Sequence, residues 1–458
     1  MQEDTIAAIT TPLGEAGIAV IRISGSQAIE IADRCFKAAG KLPLPLASAT
    51  SHTVHYGHVV NATNQLNIDE VLVTVMRSPR TYTREDVVEI GCHGGMISTK
   101  SVLDVLLASG ARLAQPGEFT KRAFLNGRID LAQAEAVADI IHARTELALA
   151  AAEHQLRGSL SSRISSLRDD LVRVLAHIEA HIDFPDEDIS PDTQSELGAK
   201  IRRATLCIKN LLATANEGQI LRKGVRASIL GRPNVGKSSL LNKLLGHDRA
   251  IVAPTSGTTR DTIEETANVR GIPIVFVDTA GLHDSSDEIE REGIKRSRDS
   301  ASRSEIILHV LDASSPLPAA DLRLIEEFQN RHRLFILNKA DLPPATMSGL
   351  PVECPVVKLS ALTGAGIEDL KDTLKKMIWH SEISVEATEI MINSRHQEAL
   401  NRSLKAAEAA LGSLDQSAGL EITAMELRIA VNAVGEIVGK TSTEDVLDSI
   451  FSQFCIGK

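Results

Sequence analysis

Between Asp4 and about Arg80, short apolar runs alternate with turn residues. Ile18–Ile23 (IAVIRI) is bounded by Gly17 and Ser24-Gly25, and Val71–Met76 is a second run of this kind. Such runs predict strands, and an α+β domain fits the stretch. From Ile129 to His181 the residues Ala, Leu, Glu and Arg recur at helical spacing with no proline before Pro185, which predicts a long helical region. Phe184–Asp192 (FPDEDISPD) breaks it, and the pattern resumes over Ser195–Gly218. Then the runs VRASILG, PIVFVD, EIILHVLD, RLFILN and PVVKLS, starting at Val225, Pro273, Glu305, Arg333 and Pro355, alternate with helical stretches. That alternation predicts a parallel sheet wrapped by helices. After about Trp379 the helical register returns over Arg395–Gly412 and Glu421–Val438. The expected fold class is therefore multidomain α/β plus all-α, with the sheet domain inserted into a helical domain. The expected boundaries are 1–120, 121–216, 217–380 and 381–458.

Length and composition agree with several domains: 458 residues is enough for two to four at roughly 100–200 residues each. Hydrophobic residues make up 43% and charged residues 24%, which excludes disordered and fibrous classes. Lys and Arg number 49 against 60 Asp and Glu, a formal charge of −11, so any RNA contact has to be a local basic patch. Aromatic residues are scarce at 3%, which limits the stacking platforms that grip single strands. Cys35, Cys92, Cys207, Cys354 and Cys455 form no C-x-x-C pair, so they fit neither a disulfide framework nor a zinc site. A reducing, cytoplasmic compartment is expected. The N-terminal MQEDTIAAIT lacks the basic start of a signal peptide, and no apolar run approaches the roughly 18 residues that span a bilayer.

The chemistry is concentrated in the third region. Gly231-Arg232-Pro233-Asn234-Val235-Gly236-Lys237-Ser238 satisfies G-x-x-x-x-G-K-[ST] between a strand and the helical SSLLNKLLG, which contains Ser239. Backbone N–H groups of such a loop curl around phosphates, Lys237 neutralises β- and γ-oxygens, and the Ser238 hydroxyl suits Mg²⁺. Asp278-Thr279-Ala280-Gly281 ends one strand and brings a carboxylate to the Mg²⁺ sphere. Asn338-Lys339-Ala340-Asp341 ends another. Asp341 can accept from guanine N1–H and N2–H₂, whereas adenine offers no such pair of donors. Ser360-Ala361 supplies a backbone amide for guanine O6. In Gly257-Thr258-Thr259-Arg260-Asp261, Thr259 is expected to complete Mg²⁺ coordination. Many small GTPases place a glutamine after DTAG; here Leu282 stands there and cannot polarise water. The run Ser286-Asp287-Glu288-Ile289-Glu290 offers a carboxylate instead, or a capped helix start, and Asn234 adds an oxygen that could help hold a monovalent cation.

The flanks narrow the field. Asp4–Pro12 (DTIAAITTP), IAVIRISG, Glu89–Gly95 (EIGCHGG), Gln115–Phe119 (QPGEF), Ala123–Glu135 (AFLNGRIDLAQAE) and the closing Phe454–Lys458 (FCIGK) resemble the bacterial tRNA modification GTPases of the MnmE (TrmE) family over the full length. The resemblance implies a homodimer that works with the flavoprotein MnmG (GidA), in a heterotetramer-type complex, on C5 of the wobble uridine U34 of certain tRNAs. It implies an N-terminal domain that dimerises and binds 5-formyl- or methylene-tetrahydrofolate through Arg22, Glu89, Arg128 and Lys458. It also implies K⁺ held by Asn234 and Thr258 with the Ala253 and Thr255 carbonyls, and Glu290 as the acid that orients water. A cation there stabilises the charge an arginine finger would meet. Cys455 reads equally as a thiol in one-carbon chemistry or as a small hydrophobe docking the tail. Ala16 stands where relatives often have Gly, and His283 where many have Arg.

Two other classes compete. One is a regulatory GTP switch that binds RNA without chemistry, with Gly91-Cys92-His93-Gly94 matching the G-x-x-G of a KH module but lacking basic neighbours. The other is a folate-dependent methyltransferase with a vestigial GTPase, against which the intact nucleotide motifs argue.

Overall fold

The computed structural model describes residues 4–40, 45–61, 65–183, 191–246, 264–277, 300–346, 349–379, 389–416, 419–441 and 443–458, with no side chains for 191–193. Two units result: Met1–Ala138 with Ile164–Arg168 and Val431–Lys458, and Asp139–Arg163 with Asp169–Ala430. No helix among the described residues is long and apolar enough to cross a membrane.

In the first unit β1 (Ile6–Ile9), β2 (Ala16–Ser24), β3 (Phe36–Ala38), β4 (Thr53–Val60), β5 (Asn67–Met76), β6 (Val87–Gly94) and β7 (Arg112–Leu113) make one sheet. Its order is β3-β4-β5-β6-β2-β1-β7, antiparallel except between β1 and β7. The two-residue period sorts the side chains: Val71, Val73 and Val75 of β5 are buried while Leu72 between them is 51% exposed. The buried set joins Ile21, Ile23, Val88 and Ile90 in a core with residues of the helices Ala28–Cys35 and Met96–Ala108. The same alternation in β1 sends Ala7 into this core, and Ile6 and Ala8 into another with Ala114 and Phe119. Arg22 is opposite both Ala8 and Glu89 in register, so it shares this second face.

The chain end returns to this unit. Leu447, Ile450 and Phe451 of the helix Glu444–Phe451 pack with Phe454 on Leu131, Ala134 and Ala138. Ile456 then bridges antiparallel to Pro116. Gly457, at φ +99°, approaches β1 so closely that a Cβ would lie 2.4 Å from the Ile9 carbonyl oxygen. Only glycine fits that turn.

A charge network ties the same region together. Arg122, 5% exposed, donates to Asp4 Oδ1 (2.7 Å), Glu118 Oε1 (3.1 Å) and Glu85 Oε1 (3.2 Å). Arg112 donates to Asp4 Oδ2 (2.7 Å) and Glu118 Oε1 (2.6 Å). Burial pushes the Glu118 carboxyl up, but hydrogen bonds from Arg112, the Gln115 amide and Arg122 outweigh it and hold the group below the usual carboxylate range; Asp4 is lowered in the same way.

The second unit holds β8 (Val225–Leu230), β9 (Glu265–Val269), β10 (Ile272–Phe276), β11 (Ile306–Asp312), β12 (Arg333–Asn338) and β13 (Val356–Lys358). The order is β13-β12-β11-β8-β10-β9, parallel except for the β9–β10 pair. Strands β10, β11 and β12 are buried almost throughout, as strands covered on both faces must be. The helices include Lys237–Leu245, Ala319–Glu327 and Ile367–Ile378. The expected insertion is present. Helix Ala215–Lys223 feeds β8 through Gly224, and the segment after the sheet returns beside it. A Cβ on Gly218 would lie 2.9 Å from the Ile392 nitrogen, and Leu221, Trp379 and Met391 share one core. Gln219 Nε2 donates to Gln397 Oε1 at 2.8 Å.

Two local features go beyond the sequence reading. The long helical stretch is three helices, Leu131–His142, Glu146–Leu156 and Ser159–Asp183. Thr145 caps the second by accepting from the Ala148 amide at 3.2 Å, and Gly158 at φ +94° separates the last two. The hairpin β9–β10 was not foreseen. Its two-residue turn, Arg270 at φ +55° and Gly271 at φ +90°, has positive φ at both central positions, as a type I′ turn requires.

The network makes a prediction. The lowered carboxyls ionise in the folded chain below their unfolded values of about 4, so their stabilisation is complete near neutral pH and lost as pH falls below about 4. The protection of amides in 4–24 and 112–125 against hydrogen exchange, taken relative to their intrinsic exchange rates at each pH, should therefore fall between about pH 5 and 3, and replacing Glu118 with Gln should remove most of that acid-dependent step.

Candidate functional site

The described motifs of the second unit, Gly231–Ser238, Asn338–Asp341 and Ser360-Ala361, lie at the carboxyl ends of its parallel strands, where ligands of open α/β sheets bind. The loop after β8 reaches helix Lys237–Leu245 through Gly236 at φ +97°. Asn234 is also left-handed, at φ +62°. Lys237 Nζ donates to the carbonyls of Gly231 and Arg232, both at 2.9 Å, so the ammonium lies across the loop that phosphates would fill. Ser238 and Ser239 follow in the first helical turn.

Asn338, 3% exposed at the end of β12, holds three segments at once. Its Nδ2 donates to the Val235 carbonyl at 2.7 Å, and its Oδ1 accepts from the Ala361 amide at 2.9 Å. The Ser360 amide donates to the Ala365 carbonyl, so at Ser360-Ala361, where one backbone amide was expected to meet guanine O6, both amides are engaged within the protein. Lys339 sits at φ +65° and donates to Asp312 Oδ2 at 2.6 Å. Burial raises the Asp312 carboxyl, but the bonds from Lys339 and Ser314 prevail and lower it. Asp341 lies exposed two residues beyond. Asp312 was not singled out from the sequence; the signal was its place at the end of a strand parallel to the one carrying Asn338.

Ala253, Thr255, Thr258, Thr259, Asp278, Thr279, Ala280, Gly281 and Glu290, with Leu282 and His283, lie outside the described residues.

A second constellation occupies the first unit. Arg22 binds Glu89 Oε1 through Nε (2.8 Å) and Nη2 (2.7 Å). The Arg22 guanidinium stands 5.5 Å from the Tyr82 ring centroid and 5.6 Å from that of Phe119. Arg128 covers the same Tyr82 ring at 4.8 Å and donates to the Tyr82 carbonyl. Arg80, Arg84 and Arg128 line an open cleft of about 440 Å³ with Thr81 and Tyr82. Burial raises the Tyr82 hydroxyl pKa more than Thr120 and the two arginines lower it, so the phenol stays neutral. Tyr82 is the residue the sequence reading missed; its offset from neither arginine followed any motif. Lys458 is brought to this unit by the Gly457 turn beside Ile9 and Thr10.

Cys455 is exposed, and the tail is seated instead by Phe454 and Gly457. Ala16 pairs with Gly94 in the sheet, where a Cβ on Gly94 would meet the Ala16 carbonyl at 2.5 Å. Gly91–Gly94 lies inside β6 rather than in a loop, which removes the KH reading.

A parallel sheet with a Lys-bearing phosphate loop after β8 and an Asn-Lys-x-Asp segment after β12 defines a P-loop fold of the GTPase class. The chain belongs to the MnmE family of tRNA modification GTPases. Family models described as "MnmE helical domain" and "GTP-binding protein TrmE N-terminus" match residues 131–455 and 5–128. The protein called tRNA modification GTPase MnmE in Geobacillus thermodenitrificans is 46% identical over 99% of both chains. The proteins of that name in Thermoanaerobacter pseudethanolicus (43%, 99% of both) and Clostridioides difficile (45%, 100% of this chain and 99% of the other) are similar over the same extent.

Gly236 gives the sharpest test of this geometry, because a Cβ there would stand 2.2 Å from Asn338 Nδ2 at a φ that disfavours any side chain. Gly236→Ala should reduce guanine-nucleotide affinity at least about tenfold by equilibrium binding, while circular dichroism stays that of the parent chain.

Proposed function

We propose that the chain is a cytoplasmic, K⁺-dependent GTPase that modifies tRNA. As a homodimer with MnmG, it takes part in adding a carboxymethylaminomethyl or aminomethyl group at C5 of U34, with a tetrahydrofolate supplying the one-carbon unit. The observation that carries the reading is the Asn338 junction, which sets the phosphate loop and the guanine-reading segment at one place in a chain of this family.

The residues present fit the groups the reading needs. Gly236 has no room for a Cβ, and Lys237 Nζ donates to the Gly231 and Arg232 carbonyls of the loop, which places the ammonium where a phosphate would meet it. Asp341 accepts the guanine donors, and the Asp312–Lys339 pair keeps the neighbouring stem in place. Ser238 and Thr259 would hold Mg²⁺, and Asn234, Ala253, Thr255 and Thr258 would hold K⁺; ions so held would supply positive charge against that developing on the phosphates. Glu290 would orient water in place of the missing glutamine, and Asp278 and the Gly281 amide would serve the Mg²⁺ sphere and the γ-phosphate.

In the first unit, Glu89 uses one carboxylate oxygen for Arg22, and the arginine-lined cleft beside Tyr82 suits an anionic, flat ligand such as a folate. Arg22, Glu89, Arg128 and Lys458 are the residues that would bind it, and the exposed Cys455 thiol stands on the same tail as Lys458.

GTP turnover by the full chain should collapse when K⁺ is replaced by Na⁺; equal rates in the two salts sink the ion assignment. Nucleoside analysis of tRNA from cells lacking the chain should show U34 without its C5 group, and unchanged U34 overturns the function. A Cys455→Ser chain that still hydrolyses GTP should restore little modification, whereas full restoration excludes the thiol.

A further inference from the structure

Asp321 belongs to none of the nucleotide motifs, yet its side chain is 1% exposed and ends on one of them. It stands in the first turn of helix Ala319–Glu327, and its Oδ2 accepts from Arg232 Nε at 2.8 Å. Its Oδ1 is buried with no hydrogen-bond partner among the described residues. A buried carboxylate held through a single contact is costly unless that contact serves something. The helix itself is fixed: its Ile325 packs in one cluster with Leu311, Phe335 and Leu337.

Arg232 is the second residue of the phosphate loop. Its side chain reaches out to the fixed helix while its carbonyl accepts from Lys237 Nζ at 2.9 Å. On one side Gly231 is pressed so close to the Val310 carbonyl that a Cβ would lie 2.4 Å away. On the other, Pro233 fixes φ. The loop is thus anchored at its end by Gly231 and at its far side by Asn338; between them Lys237 holds the Gly231 and Arg232 carbonyls from within, and the Asp321–Arg232 pair ties the loop to the neighbouring helix.

We propose that Asp321 is a positioning residue of the nucleotide site, holding the first half of the phosphate loop through Arg232 and thereby setting how long a guanine nucleotide stays bound. The proposal rests on the reading of Gly231–Ser238 as a phosphate loop. The two partners are not equivalent. Removing Arg232 leaves a buried anion unpaired and threatens the fold, whereas removing the Asp321 charge frees an arginine that is 35% exposed and readily hydrated. Asp321→Leu, close in shape and apolar, is the clean variant.

With the full chain and the fluorescent nucleotide mant-GDP, Asp321→Leu should raise Kd about tenfold, chiefly through faster release. KM for GTP should rise in parallel, while kcat at saturating GTP falls less than about threefold. Asp321→Asn should lie between the two. Adding Arg232→Ala to Asp321→Leu should weaken mant-GDP little further, because the pair acts as one unit. Unchanged mant-GDP affinity in Asp321→Leu, even with a lower melting temperature, overturns the proposal and leaves a structural ion pair. If Asp321→Leu does not fold, Asp321→Asn carries the test, with unchanged affinity again overturning it. Failure of the unaltered chain to bind mant-GDP overturns the phosphate-loop reading itself, and this proposal with it.

Discussion

One buried amide joins the described parts of the nucleotide site in the second unit. Asn338 donates to Val235 in the phosphate loop and accepts from Ala361 in the loop after β13. A carboxamide suits both bonds, since it carries a donor and an acceptor on one planar group. The loops it joins belong to three different strands, and without a common partner each would sample its own positions. Gly236 follows from this: the amide nitrogen occupies the volume of the missing Cβ. Burial makes the arrangement stringent, because losing either bond leaves a desolvated polar group behind.

The first unit solves a similar problem with charge. Asp4, Glu85, Arg112, Glu118 and Arg122 bind together the chain start, the loop before β6 and the helix after β7. Arginine suits this role because its planar fork serves several carboxylates at once. The closing residues are then fixed by packing and not by charge, through Phe454 and the Gly457 turn. Two unrelated means thus converge on the neighbourhood of β1, on which the placement of Lys458 depends.

Much of this was legible in the sequence, for identifiable reasons. The strands β8, β10, β11 and β12 are runs whose hydrophobicity survives on both faces, so they stand out without any knowledge of neighbours. The phosphate loop and Asn-Lys-x-Asp segment are contiguous, and contiguity is what a sequence displays. The breaks at Thr145 and Gly158 were hidden because Ala, Leu and Glu continue through them; a single cap and a single left-handed glycine decide the boundary. The hairpin at Arg270-Gly271 was hidden because one of its positive-φ positions is filled by arginine. Asp312, Asp321 and Tyr82 escaped because each matters through a partner far away in sequence.

Tyr82 also changes what the scarcity of aromatic residues means. The chain has two tyrosines, and one of them is placed with an arginine guanidinium on its ring at 4.8 Å and another at 5.5 Å. A ring used this way does not stack bases; its negative face collects cations and fixes where they point. The total charge of −11 therefore coexists with a cleft lined by Arg80, Arg84 and Arg128. Net charge governs the long-range field, but within a cleft the nearest groups dominate because solvent ions screen the rest over about 8–10 Å. An acidic chain can thus carry a cleft of local positive charge, and in this unit the ring of Tyr82 stands among the arginines that make it.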